Sequence, residues 1–277
     1  MQPAPFHGEE HLPFYWEGDR AAALLVHGFP GTPAEMRPLA TSLREQGMTV
    51  EGLLLPGFGR QIETLGERTY QDWIVAIGQS LLALRQRHER VLLIGFSMGA
   101  ALSLSVVTSE EWGEQRPDGL VLLAPFWQLG TGWQAVAWPV LRRVVRHVSP
   151  FAKADLRDPK LQRQLTKFMP DADFEDPATI ATIRAIRLPF RTLDQLRELG
   201  LATYRQAPAL RLPTLVIQGK EDAIVSPAGT RRLIDRFASP PVYHELLADH
   251  QLLDPEAAAW PEVERLLHGF ARRILSD

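Results

Sequence analysis

The stretch "RVLLIGFSMGAALSL", Arg90 to Leu104, sets a serine between two glycines where an apolar run gives way to alanine-rich sequence. Gly95-Phe96-Ser97-Met98-Gly99 fits G-x-S-x-G, the pattern of a sharp strand-to-helix turn that exposes a nucleophile. Alone the pattern is a weak signal, and its strand-like and helix-like flanks give it weight. Such a turn strains the serine backbone and draws neighbouring chain close, so side chains at 95 and 99 would clash where glycine fits. It lifts the Ser97 hydroxyl above one edge of a sheet and leaves the Met98 amide at a helix start. Ser103 and Ser105 fall inside that helix and read as packing or surface residues.

A serine hydroxyl attacks well only when a base takes its proton. Of the eight histidines, His250 in "LLADHQLLDP" lies in a loop directly after the last strand-like run. His244 falls inside that run, and His7, His11, His88, His147 and His268 lie in tails, helix ends or an insertion. The imidazole in turn needs a carboxylate to fix its tautomer and stabilise its cationic form. "QGKEDAIVSP" supplies Glu221 and Asp222 after a strand end. Asp222 is the choice because its strand aims it at the next strand's loop. Glu221 is the fallback, and Asp249 is disfavoured because adjacent side chains diverge. In "LLVHGFPGTPAEM" the turn Phe29-Pro30-Gly31 separates a strand from a helix. The Phe29 amide is placed to join that of Met98 in holding negative charge, Pro30 having no N–H to offer. His27 props this loop.

These groups need a scaffold with several strand ends on one edge. Short apolar runs alternate with helical-period segments, which argues for βαβ units and a parallel sheet. Strands are expected over Ala21–Gly28, Thr49–Gly57, Arg90–Ser97, Gly119–Phe126, Pro213–Lys220 and Val242–Leu247. Helix patterns lie between them, the first ending at Gly47, and a last one closes the chain around "PEVERLLHGFARRIL". From Trp127 to about Leu201 the rhythm breaks into helices with proline joints and no convincing strand. In "WQAVAWPVLRRVVRHV", Trp133, Ala137, Val140, Leu141, Val144, Val145 and Val148 share one helical stripe, with Arg142, Arg143 and Arg146 off it. The expected organisation is an α/β core of residues 1–126 and 202–277 carrying a helical cap at 127–201.

Composition narrows the function further. The chain has 277 residues, 45% hydrophobic and 23% charged, with a formal net charge of -3. That balance is ordinary for a globular protein and offers no nucleic-acid footprint. Cysteine is absent, which excludes disulfides and a thiolate nucleophile. No apolar run approaches membrane-spanning length, and the N-terminus lacks signal-peptide features, so a cytoplasmic protein is the expectation.

The motifs "LLVHGFPGTPAEMRPLA", "LLLPGFGRQIETL…YQDW", "LLIGFSMGAALSL", "PTLVIQGKEDAIVSP" and "ADHQLLD" make the sequence resemble the α/β-hydrolase superfamily. The likeness is to its bacterial carboxylesterases and monoacylglycerol lipases, and it covers the chain from about residue 20 onward apart from the insertion. The chain order Ser97…Asp222…His250 is the one that fold uses. Two departures stand out: Ala100 occupies a position often held by a second glycine, and "PGFGR" with Phe58 stands where many relatives read "GHG". The resemblance implies Ser97, Asp222 and His250 as a catalytic triad, with Phe29 and Met98 as oxyanion amides. It implies ester hydrolysis through an acyl-enzyme, with no metal or organic cofactor and a small ester as the partner. An apolar cap, with Trp127, Trp133 and Trp138 as candidate lining residues, favours short-to-medium acyl esters or monoacylglycerols. The same scaffold also serves thioester cleavage, carbon–carbon bond hydrolysis and perhydrolysis, or acts as a small-ligand receptor. The basic, tryptophan-bearing segment at 133–148 has two readings, a solvated face or a lipid-surface anchor.

Overall fold

The computed structural model describes residues 6, 8–19, 21–113, 116–129, 133–166 and 173–275. In chain order the strands are β1 (Phe14–Trp16), β2 (Ala21–Val26), β3 (Thr49–Leu53), β4 (Arg90–Phe96), β5 (Gly119–Leu123), β6 (His147–Val148), β7 (Leu188–Pro189), β8 (Thr214–Gly219) and β9 (Val242–Leu246). The helices are α1 (Arg37–Glu45), α2 (Tyr70–Arg85), α3 (Met98–Thr108), α4 (Trp133–Val144), α5 (Pro159–Thr166), α6 (Pro177–Ala185), α7 (Phe190–Gln206), α8 (Pro227–Ile234) and α9 (Trp260–Leu275). Seven strands form one sheet in the order β1-β3-β2-β4-β5-β8-β9. All neighbours run parallel except β1, which is antiparallel to β3. The expected α/β fold is present, with β1 as an addition. Three residues are too few to carry a readable period-two pattern.

Side chains alternate across this sheet because a strand has period two. Leu24, Val26, Leu93, Leu122 and Val216 join one buried cluster with α2, α3 and α7. Ala23, Leu25, Ile94, Val121 and Ile217 join the other, under α1 and α9. Both faces are covered, which explains why the strands read as continuous apolar runs. Every residue of α3 is buried, so this helix has no polar face. Local signals set the boundaries: Thr69 and Asp72 form a capping box at the start of α2. Gly47, at φ 83°, supplies the left-handed residue after α1.

The chain order reverses between β2 and β4. In parallel α/β sheets, ligands bind outside the carboxyl ends of the strands at such a point. Val26 pairs with Gly95 in register, so the loop after β2 and the turn after β4 emerge side by side. No helix among the described residues is long and apolar enough to cross a membrane.

The segment between β5 and β8 departs from expectation in three ways. It contains a strand pair, β6 with β7, joined at His147–Pro189 and Val148–Leu188. A two-residue pair leaves no periodic trace. The boundary expected at residue 201 falls inside α7, whose Leu196 and Leu199 belong to the cluster under the main sheet. The Thr203 hydroxyl donates to the Ala101 carbonyl of α3 (3.3 Å). Finally, α4 does not bury the predicted stripe, because Val140 is 63% and Val144 70% exposed. The helix turns Trp138 toward α7 instead, and the indole N–H donates to Asp194 Oδ1 (2.7 Å). The rest of the insertion has a small core of its own around Leu156, Leu165 and Ile183.

This packing predicts unequal costs on the two helices. Leu199→Ala should destabilise the protein by about 2–5 kcal/mol, whereas Val144→Ala should stay within about 0.5 kcal/mol. Equal effects in urea titrations would contradict the assignment of α7 to the core.

Candidate functional site

Ser97 joins β4 to α3 with φ 52° and ψ −112°, a conformation that side-chain-bearing residues rarely adopt. Its N–H donates to the Leu123 carbonyl (2.8 Å) and its carbonyl accepts from Phe126 (3.2 Å), tying the turn to the end of β5. The flanking glycines are required by contact. A Cβ on Gly95 would run into the Gly99 backbone, and one on Gly99 into the Val26 and His27 carbonyl oxygens. Met98 opens the helix, so its N–H is among the terminal donors that have no intrahelical acceptor.

Around this serine the structure brings together three distant segments. His250 Nε2 lies 3.1 Å from Ser97 Oγ, and its Nδ1 lies 2.7 Å from Asp222 Oδ2. Ser97, Asp222 and His250 are 7%, 5% and 9% exposed. The loops after β8 and β9 are stitched together, since Lys220 N–H donates to Leu246 O (2.8 Å) and Glu221 N–H to Ala248 O (2.9 Å). That stitching turns Asp222 inward and leaves Glu221 and Asp249 exposed.

Asp222 also accepts from the Ile224 and Val225 amides on Oδ1 (2.9 and 2.8 Å). Burial pushes its carboxyl up, but His250 and these two amides outweigh that and hold it below the usual aspartate range. It is therefore ionised at neutral pH. Two supporting residues escape a reading of the sequence. Gln218 donates its amide to Asp222 Oδ2 (3.0 Å), and its own oxygen accepts from the Thr230 hydroxyl (2.6 Å). The one signal in the sequence is a polar residue at the buried end of the run "TLVIQG".

The loop after β2 sits on the other side of Ser97. A Cβ on Gly28 would lie 3.3 Å from Ser97 Cβ. His27 is fully buried, and its Nε2 accepts from the Leu55 N–H (3.2 Å). The ring proton is therefore on Nδ1, which donates to the Gly28 carbonyl (2.9 Å). The same oxygen accepts from Gly31 N–H (3.0 Å). Burial pushes the His27 pKa down to about 4, against the smaller upward pull of the Gly28 carbonyl.

Comparison with known proteins places the chain in a family and a fold. Residues 18–251 match the family model described as serine aminopeptidase, S33. The chain belongs to that family. A curated relative of the hydrolase, a thermostable monoacylglycerol lipase from Bacillus sp. (strain H-257), is 29% identical over 82% of this chain and 80% of its own length. Among solved structures, one from a study of the metagenome-derived lipolytic enzymes LipS and LipT matches with TM-score 0.74 at 21% identity, covering 96% of this chain and 98% of the other. The monoacylglycerol lipase of Paleococcus ferrophilus matches with TM-score 0.71 at 18% identity, covering 95% and 98%. At those identities the structural matches speak for the α/β-hydrolase fold alone.

A cavity of about 470 Å³ opens onto Ser97 and His250, walled by Phe29, Phe96, Ile224 and Leu253. The hydrolase does not bring Trp127 or Trp138 to this wall. Trp127 stacks on Tyr204 with ring centroids 4.5 Å apart and donates its indole N–H to Gly229 O (2.9 Å), which fixes it among core helices. Trp138 is held by Asp194 and packs on Phe190 at 5.0 Å. Trp133 opens α4, but its side chain lies outside the described residues, as does His7.

The buried His27 yields a pH prediction. Its folded pKa of about 4 lies below the ordinary 6.5, so it favours the folded state above pH 6.5 and that contribution is lost as pH falls toward 4. Unfolding free energy should drop by up to about 3 kcal/mol from this residue over that window. In His27→Asn the pH slope, followed by urea denaturation, should shrink by about one proton.

Proposed function

We propose that the protein hydrolyses neutral carboxylic esters, short-to-medium acyl esters or monoacylglycerols, through an acyl-enzyme on Ser97. The observation that carries this reading is the hydrogen-bonded chain from Ser97 Oγ through His250 to Asp222, with contacts of 3.1 and 2.7 Å. Ser97 Oγ attacks the ester carbonyl while His250 Nε2 takes its proton. Asp222 stays ionised, keeps the imidazole proton on Nδ1 and stabilises the imidazolium that forms. The Phe29 and Met98 amides bind the oxyanion, each donor contributing on the order of 3 kcal/mol at the transition state. His250 returns its proton to the leaving alcohol. Water then repeats the sequence to release the acid.

Substrate class follows from the relatives and from the wall. Relatives named as monoacylglycerol lipases support an acyl ester of glycerol. The cavity combines aromatic and aliphatic side chains with three carboxylates, Glu10, Glu35 and Asp254, and among the described residues it has no lysine or arginine on its lining. A lining of this composition favours neutral esters over anions.

Ser97→Ala should abolish hydrolysis of p-nitrophenyl butyrate in a folded protein, and a fluorophosphonate should add its mass to Ser97 in the wild type. Undiminished turnover would sink the reading. The neutral butyrate should exceed the p-nitrophenyl hemisuccinate in kcat/KM by about tenfold or more, roughly 1.4 kcal/mol of discrimination. Equal values would rule out a selective role for the acidic wall.

A further inference from the structure

We propose that Glu35 is a positioning residue that holds the oxyanion loop in its working shape. The inference rests on the roles proposed above for Ser97 and the Phe29 amide. Glu35 follows the turn at 29–32, and its carboxylate folds back over it. The Gly28 N–H donates to Glu35 Oε1. The room for this contact is built into the loop: a Cβ on Gly31 would lie 2.5 Å from the Glu35 carboxyl carbon, and one on Gly28 3.3 Å from Oε1. Glycine at both positions lets the carboxylate lie flat against the backbone.

Gly28 is thereby gripped on both sides. Its N–H is held by Glu35, and its carbonyl by the His27 Nδ1–H and the Gly31 N–H. Glycine has the widest conformational freedom of any residue, so a loop of this composition keeps one shape only when such bonds fix it. The Gly28–Phe29 peptide carries the proposed oxyanion donor on the edge opposite that carbonyl. Fixing Gly28 therefore fixes the direction of the Phe29 N–H. A bond from a backbone N–H to an ionised carboxylate is about twice as strong as one between neutral groups.

Electrostatics assigns the same role. Glu35 lines the same cavity as Ser97 and His250, where negative charge develops during attack. A carboxylate there opposes that charge, so its contribution to catalysis is geometric.

The test compares Glu35→Ala, Glu35→Gln and Gly31→Ala on p-nitrophenyl butyrate, with thermal melts as the folding control. Glu35→Ala should lower kcat at least tenfold and up to about a hundredfold, short of the full loss of an oxyanion donor, with KM within about threefold. Glu35→Gln keeps an acceptor for Gly28 without the charge and should restore most of kcat. Gly31→Ala places a methyl group against the Glu35 carboxylate and should behave like Glu35→Ala, which keeps the test alive if the latter does not fold. Wild-type turnover in Glu35→Ala or Gly31→Ala, or equal losses in Glu35→Ala and Glu35→Gln, would overturn the proposal. Fluorophosphonate labelling separates the layers. Where the wild type is labelled on Ser97, these variants alone decide the role of Glu35. An unlabelled wild type removes the underlying reading and this inference with it.

Discussion

One strained residue organises this molecule. Ser97 sits in a left-handed backbone conformation, which costs on the order of 1–3 kcal/mol for a residue with a side chain. It persists because the turn is over-determined. Its N–H and carbonyl are bonded to the chain at the end of β5, and its glycine neighbours let β4, α3 and the end of β2 approach at backbone contact. The parallel register then does the rest. With Val26 beside Gly95, Phe96 beside Leu123, Ile217 beside Leu123 and Gly219 beside Leu246, the loops that follow five strands all leave by one edge. Histidine and carboxylate reach the serine across a gap in sequence of more than a hundred residues because strand ends, unlike strand middles, are free to carry side chains inward.

Two buried histidines flank the site, and their partners alone separate their roles. His27 lies between a backbone amide and a backbone carbonyl. Neither neighbour carries charge, so burial dominates and the ring stays neutral and fixed. His250 lies between a hydroxyl and a carboxylate. There a proton gained on one nitrogen is balanced by the ionised Asp222 on the other. That carboxylate is in turn kept charged by His250 and the Ile224 and Val225 amides, and Gln218, itself held by the Thr230 hydroxyl, fixes its second oxygen. The Ser97 hydroxyl, the proposed nucleophile, is the outer end of a polar chain that runs back into the sheet.

Much of this is legible in the residues. The glycine spacing around Ser97, the position of His250 after the last strand and the choice of Asp222 over Glu221 all follow from where strands end, and apolar runs mark strand ends well. The expected strands overrun their true ends by one to four residues, most after β3 and β5, where apolar residues such as Leu54, Leu55, Ala124 and Phe126 continue the run into the turn. What stays hidden depends on partners. The helical stripe of α4 is visible as a pattern, but the pattern does not say which side meets α7, and the bond from Trp138 to Asp194 decides it. Trp127 reads as a cavity residue for the same reason: nothing nearby in sequence announces that Tyr204 and Gly229 will occupy it. Glu35 is hidden, and Gln218 shows only as a polar residue at the end of an apolar run, because a lone polar residue next to a turn or strand end reads as solvent-facing until the fold supplies its partner.

The division of labour between core and insertion follows from these placements. Every group in the proposed proton and oxyanion machinery comes from a loop or a helix start at the sheet edge. Among the described residues the inserted segment contributes Thr166, at the end of α5, to the cavity lining. That segment has its own small cluster around Leu156, Leu165 and Ile183, separate from the two that sandwich the sheet. A unit that packs on itself can change its sequence and its outer face without disturbing the register that sets the chemistry. Its helix α4 is fastened to α7 through Asp194, which accepts from Trp138 and pairs with Arg142 at 3.4 Å, and α7 is part of the core. The insertion is therefore tethered to α7 through Trp138, which bonds Asp194 and packs on Phe190, and through the Arg142–Asp194 pair, away from the sheet edge where Ser97, Asp222 and His250 meet.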